Sequence, residues 1–246
     1  MLWPADARVA HGDIAETRPN ETDRYATDGV STRMWEFVGD RFDEIAFASV
    51  QHLSLVAQSL VIATVLGVGI AALVYRNGTA SSLANGVTAI GLTIPSFALI
   101  GLMVAPLGFG VAPAVVVVVF YAMLPVLRNA VVGLAGVDRA LVESARGIGM
   151  SRFRTFWQVE LPIAWPVILS GVRISGQMVM GVAAVAAYVL GPGLGGFIFQ
   201  GLSRMGGAGA TESIVTAVVG VILLALVLDL ALVALGRLTT PKGIRA

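Results

Sequence analysis

The sequence predicts an all-α membrane protein, a bundle of five transmembrane helices carrying one charged loop. Three observations predict it. The 246 residues are 57% hydrophobic and 13% charged, against about 25% charged in ordinary soluble domains. A soluble fold of this length would therefore lack the polar surface to cover itself. Five stretches approach or exceed the roughly 20 apolar residues that a helix needs to cross hydrocarbon. The arginines outside those stretches gather on one side of them, as loop charge in membrane proteins does.

Residues 1–33 are polar, lack a helical period and hold several turn formers, so they are expected to be an unstructured external tail. Acidic residues precede the first apolar run, which comes too late for a secretory signal. Residues 34–52 mix Trp35, Phe37, Phe42 and Phe47 with Glu36, Asp40, Arg41, Asp43 and Glu44. That mixture suits a helix lying on the membrane surface; the alternative is an extension of the first span.

The transmembrane domain, 53–235, is expected to cross at 53–75, 83–107, 111–134, 163–190 and 212–235. Pro95 falls within the second span and Pro166 near the start of the fourth, and membrane helices tolerate proline when neighbours satisfy the freed backbone groups. Val115 to Val119 alone would suit a strand, but backbone hydrogen bonding in lipid favours helix.

Short-loop charge sets the topology. Arg76 lies in the first loop, Arg128, Arg139, Arg146, Arg152 and Arg154 around the third, and Arg237, Lys242 and Arg245 at the C-terminus. The first 50 residues hold ten acids against five arginines. The bias predicts a multi-pass cell-membrane protein with its N-terminus outside and the tail 236–246 in the cytoplasm.

The charged loop, 138–162, is read as two short helices. Asp138 is the expected N-cap of the first, Gly147 and Gly149 permit a sharp turn, and Ser151 caps the second. Phe153, Phe156 and Trp157 share one face at helical spacing, and Leu161-Pro162 ends the helix and opens the next span. Such a knob suits docking of a soluble partner; equally, it could pack on its own bundle.

Other residues are weighed singly. Arg173 and Asp229 are ionisable residues inside spans, which are functional candidates by default. They are expected either to pair between the fourth and fifth spans or to reach separately for the interface. Arg128 and Asn129 are read as membrane-edge anchors. Gly191-Pro-Gly-Leu-Gly-Gly196 lacks the Lys and Ser/Thr of a phosphate loop, and is read as a flexible external turn followed by a short piece that closes the bundle or faces an external protein. The chain has no cysteine and two histidines, His11 and His52. That excludes disulfides and thiolate zinc sites and leaves no metal spacing. No catalytic arrangement is present and no cofactor is expected, and the net charge of +1 gives no field that would draw nucleic acid.

The loop resembles the signature of permease subunits of ABC importers: Glu-Ala-Ala, three residues, Gly, nine residues, an apolar residue, any residue, Leu-Pro. Glu143-Ser144-Ala145 fills the first element, with Ser for the usual Ala; Arg146, Gly147 and Ile148 follow, then Gly149, Val159 and Leu161-Pro162 at matching spacing. Ile90-Gly-Leu-Thr-Ile-Pro-Ser-Phe-Ala-Leu99, Leu124-Pro-Val-Leu-Arg-Asn129, Gly136-Val-Asp138 and Ala145-Arg-Gly-Ile-Gly-Met150 are similar to the osmoprotectant branch of the binding-protein-dependent inner membrane components, although Leu92 stands where that branch has glutamine.

The resemblance implies the fold of type I importer permeases with a cytoplasmic coupling loop. It implies a pair of ATP-binding subunits, an external solute-binding protein and a second permease, identical or sister, all working at the lipid bilayer. The implied cargo is glycine betaine, carnitine, choline or proline, with another small solute such as an amino acid or oxyanion as the alternative. On that reading Gly149 would permit the turn, Glu143 and Arg146 would make polar contacts, and Phe153, Phe156 and Trp157 would anchor the loop to the bundle. A partner-independent secondary transporter would need inverted repeats or buried charge relays, which the sequence does not display. Substrate-binding residues are not identifiable from it.

Overall fold

The computed structural model describes residues 21–240; residues 1–20 and 241–246, with most of the tail, lie outside them. Ten α-helices follow one another: α1 Glu21–Asp40, α2 Phe42–Val74, α3 Gly78–Thr93, α4 Ser96–Leu107, α5 Val111–Ala135, α6 Arg139–Gly147, α7 Arg152–Thr155, α8 Leu161–Ala186, α9 Gly195–Ser203 and α10 Ala210–Thr239. A π-helical turn, Phe156–Glu160, joins α7 to α8, and a 3-10 turn, Ala187–Val189, follows α8.

Four continuous helices, Phe42–Val74, Val111–Ala135, Arg152–Val189 and Ala210–Thr239, are long and apolar enough to cross a membrane. The pair α3 and α4, bent by 94° at its break, passes the same test of length and composition when taken together, so the described residues hold up to five candidate spans.

α5 is the centre of the bundle, held between α2 and α8. Its buried face includes Val117, Val118, Tyr121, Val126, Leu127 and Val131. Lipid gives helices no hydrophobic reason to associate, so close backbone approach and dispersion must hold them. Gly171 on α8 supplies that approach: a Cβ there would sit 2.7 Å from Asn129 Cβ and 2.9 Å from the Pro125 carbonyl oxygen. Asn129 is therefore at a helix crossing, where its Nδ2 donates to Pro125 O at 2.9 Å, and is not a membrane-edge anchor; Arg128 beside it is exposed. Ser175 Oγ donates to Ala122 O at 2.7 Å across the same interface.

Several expectations are corrected. The segment 34–52 is not a separate surface helix: it divides at Arg41, and Phe42 onward is the first part of α2. At 33 residues that helix is about 50 Å long, well beyond a hydrocarbon core of about 30 Å. Within the described residues the chain is helical from Glu21 onward, so the end of the polar tail is helical and not unstructured. The second span is broken, not continuous. Pro95 forces its predecessor out of the helical region, and Ile94 is extended at φ −68°, ψ 126°. The Tyr121 hydroxyl of α5 donates to the Ile94 carbonyl, satisfying a group that the break would leave bare.

Leu161-Pro162, by contrast, ends nothing. Residues Arg152–Val189 run through it as one helix. Pro162 has no N–H to give the carbonyl four residues back, and its ring crowds that oxygen. The π-turn widens the helix just before it, with Leu161 N donating to Phe156 O, and lets the chain pass.

Candidate functional site: the loop at one end of the bundle

One end of the bundle gathers the C-termini of α2 and α5, the start of α3 and the loop α6–α7; we term it the loop end. Asp138 Oδ1 accepts from Ala140 N at 2.9 Å and starts α6. Ser151 Oγ accepts from Arg154 N at 3.3 Å and starts α7. Gly149 closes the turn between them at φ +90°, a conformation that a β-carbon resists. Met150 N returns to Ala145 O at 3.1 Å across it. Gly147 does not share this role: it is the last residue of α6 and has no positive φ.

The loop turns Ala145 and Thr155 inward, with Val159 half-buried, and leaves Glu143, Ser144, Arg146 and Gly147 exposed. The aromatic face differs from expectation. Only Phe156 leans on the bundle, its ring centroid 6.4 Å from that of Tyr75. Phe153 and Trp157 stand 74% and 53% exposed, their rings 6.0 Å apart. Ile148 at 82% and Leu141 at 49% add to them. The outward side of the loop is thus a mixture of apolar and charged groups, the composition of an interface core with its rim. Spacing placed three aromatics on one face, but the π-turn falls between Thr155 and Leu161 and changes the angle per residue.

What fastens the loop is a charged clasp that the sequence reading left out. Glu160, 2% exposed, places its carboxylate against α2: Arg76 Nη2 donates to Oε1 at 2.8 Å, and the Tyr75 hydroxyl donates to Oε2. The Arg76 guanidinium also lies 5.0 Å over the Tyr75 ring. A buried carboxylate is stable only when paired and hydrogen-bonded, and here both oxygens are. The signal was present: Glu160 is an acid between Val159 and Leu161, and Arg76 is the sole charge of a short loop. It took the fold to bring residues 84 apart in sequence together. Beside the clasp a cavity of about 400 Å³ opens between α6 and the bundle, lined by Arg76, Val137, Arg139, Val142, Glu143 and Arg146 among others.

Arg173 and Asp229 are brought together far from this loop. Arg173 Nε and Nη2 donate to Asp229 Oδ1 and Oδ2, each at 3.0 Å, a two-pronged pairing of the stronger kind. Gln177 Nε2 adds a bond to Asp229 Oδ1 at 3.1 Å.

The opposite end, the far end, is closed by the glycine tract, which is packed and not a flexible turn. A Cβ on Gly195 would lie 2.0 Å from Ala184 O, and one on Gly193 2.7 Å from His52 Nδ1. His52 is fully buried and its Nε2 lies 3.2 Å from Met180 O. α9 then returns along α10, where Ser213 Oγ donates to Phe197 O at 2.8 Å.

Comparisons with known proteins agree with this arrangement. The family described as binding-protein-dependent transport system inner membrane component matches residues 63–240. The glycine betaine/carnitine/choline transport system permease protein OpuCB of Bacillus subtilis (strain 168) is 35% identical over 215 residues, covering 87% of this chain and 96% of the relative. The osmoprotectant import permease protein OsmW of Salmonella typhimurium is 39% identical, covering 84% of this chain and 96% of the relative. Among solved structures, an inward-facing conformation of the MetNI methionine ABC transporter superposes with a TM-score of 0.67 at 22% identity, over 80% of this chain and 96% of that one.

Proposed function

Because the chain belongs to the binding-protein-dependent transport system inner membrane components, we propose that it is the membrane permease of an ATP-driven importer and that its cargo is a compatible solute such as glycine betaine, carnitine, choline or proline. The cargo reading is supported by relatives named for glycine betaine, carnitine, choline and osmoprotectant import. The observation that carries the mechanism is the loop 138–162: a knob held by one left-handed glycine, with Leu141, Ile148, Phe153 and Trp157 turned outward.

In this reading the knob, with Glu143, Ser144, Arg146 and Gly147 at its surface, seats in an ATP-binding subunit on the cytoplasmic side. Ala145, Val159, Leu161 and Pro162 hold it in shape. Two such subunits drive a pair of permeases, and an external solute-binding protein delivers the cargo at the far end, with the N-terminus outside. The Glu160 clasp makes α2 and the loop move together. ATP is hydrolysed on the partner.

The test is uptake of labelled glycine betaine at high osmolarity, in a host lacking its own betaine importers and supplied with all partner subunits. The natural chain should support uptake, and Gly149→Trp should abolish it while still reaching the membrane. Absence of uptake by a correctly assembled natural complex would overturn the cargo.

A further inference from the structure

Two outward faces of the bundle differ in chemistry. On α10, Val219, Ile222, Leu223, Leu226, Val227 and Leu230 are exposed, as befits a surface in lipid. On α8 the exposed stripe is Val167, Ser170, Ile174, Gln177 and Gly181, at the spacing of one helical face, and it carries polar groups that the α10 face lacks. Arg173 and Asp229 edge this stripe, 41% and 22% exposed.

Depth makes the stripe costly in lipid. Arg173 is 12 residues beyond Leu161, the first residue of α8, about 18 Å along it, within a hydrocarbon core of about 30 Å. The bidentate bonds satisfy only part of the guanidinium, and Gln177 keeps the rest of its amide open. Charged and amide groups at such depth face water or protein, not acyl chains.

We propose that this α8 stripe lines the aqueous translocation pathway and that Arg173, Gln177 and Asp229 form a station in it for a small solute bearing both a carboxylate and a cationic centre. This rests on the permease reading above. The pair presents two complementary halves: guanidinium and amide N–H groups for a carboxylate, and the Asp229 carboxylate for the cation. Being neutral as a pair, it suits the zwitterions of the proposed cargo, glycine betaine, carnitine and proline, better than choline, a cation that would leave the guanidinium half uncompensated.

The chain has no cysteine, so single cysteines can be read without background. In the assembled complex, Gln177→Cys and Ser170→Cys should react with the membrane-impermeant cationic and anionic methanethiosulfonates, and Leu226→Cys with neither. Glycine betaine should slow the reaction at position 177. Adding Asp229→Asn to Gln177→Cys should favour the anionic reagent over the cationic one by about tenfold, because the Arg173 charge is then unopposed. No reaction at 170 or 177 in either nucleotide state, while Glu36→Cys on α1 reacts, would overturn the pathway assignment. So would equal reaction at 226. Labelling that betaine does not slow, in a complex that carries betaine, would overturn the ligand. If the complex carries no betaine, the cargo reading fails, and the pattern at 170, 177 and 226 still decides which way the stripe faces.

Discussion

The two ends of the bundle are both rich in glycine, yet they use it for different purposes. At the far end Gly191, Gly193 and Gly195 need glycine for space: Gly195 sits against the Ala184 carbonyl and Gly193, which also has a φ of +117°, against His52. At the loop end Gly149 needs glycine for conformation, since its φ is +90° while a Cβ there would meet nothing within 4 Å. The far end is held by shape. The loop end is held by charge, through Glu160, Arg76 and Tyr75. A closure made by shape resists shifts of one part against another and moves only as a packed unit. A clasp of polar groups over a cavity can give locally, and in the proposed reading that is the end at which the ATP-binding partner acts.

Substitutions that break each mode of closure should therefore separate folding from coupling. Gly195→Ala carries the largest expected effect, because its Cβ would fall 2.0 Å from a backbone oxygen. We expect a loss of about 3 kcal/mol or more, seen as collapse of folded yield in detergent. Glu160→Gln follows, at about 1–2 kcal/mol. It leaves Arg76 without its counter-charge, a loss discounted because Arg76 is 41% exposed. Its larger consequence should be functional: ATP hydrolysis by the complex that solute and binding protein no longer stimulate. Wild-type stimulation in that variant would remove the clasp from the coupling path. Gly149→Ala should cost about 1 kcal/mol and lower the thermal midpoint by a few degrees with the chain still in the membrane. Gly147→Ala should be neutral or gain about 0.5 kcal/mol, because that position is helical and a Cβ there meets nothing. If the alanines at 147 and 149 behaved alike, the distinction between the two glycines would fall.

Much of this architecture was readable beforehand because membrane helices declare themselves by length and composition. The long apolar helices and the caps at Asp138 and Ser151 follow from local rules. What was missed depends on three-dimensional context. Pro95 and Pro162 are the same residue with opposite outcomes: at one the helix breaks and Tyr121 donates to the bared Ile94 carbonyl, at the other the proline is absorbed by a π-turn. Nothing local to either proline states which will happen. The outward turn of Phe153 and Trp157 follows from that π-turn and was hidden for the same reason. Glu160 and Arg76 were visible as charges but not as partners, since pairing 84 residues apart is a property of the fold. Asp229 and Arg173 were easier, because a charge inside an apolar run seeks another.

The helix Arg152–Val189 has a mechanical meaning. Its 38 residues make a rod about 57 Å long. Gly171, where it lies hard against Asn129 and Pro125 of α5, falls almost at its midpoint. A rod pinned at its centre is a see-saw. Rotation by about ten degrees about Gly171 would carry the docking tip about 5 Å one way and the glycine-packed end about 5 Å the other. If the loop docks as proposed, pulling on the knob from one side of the membrane would be geometrically the same act as opening or closing the other side. Distances from spin labels at positions 157 and 188 to α5 would change in opposite senses on ATP binding if the rod turns as one piece, and in the same sense if the helix merely slides.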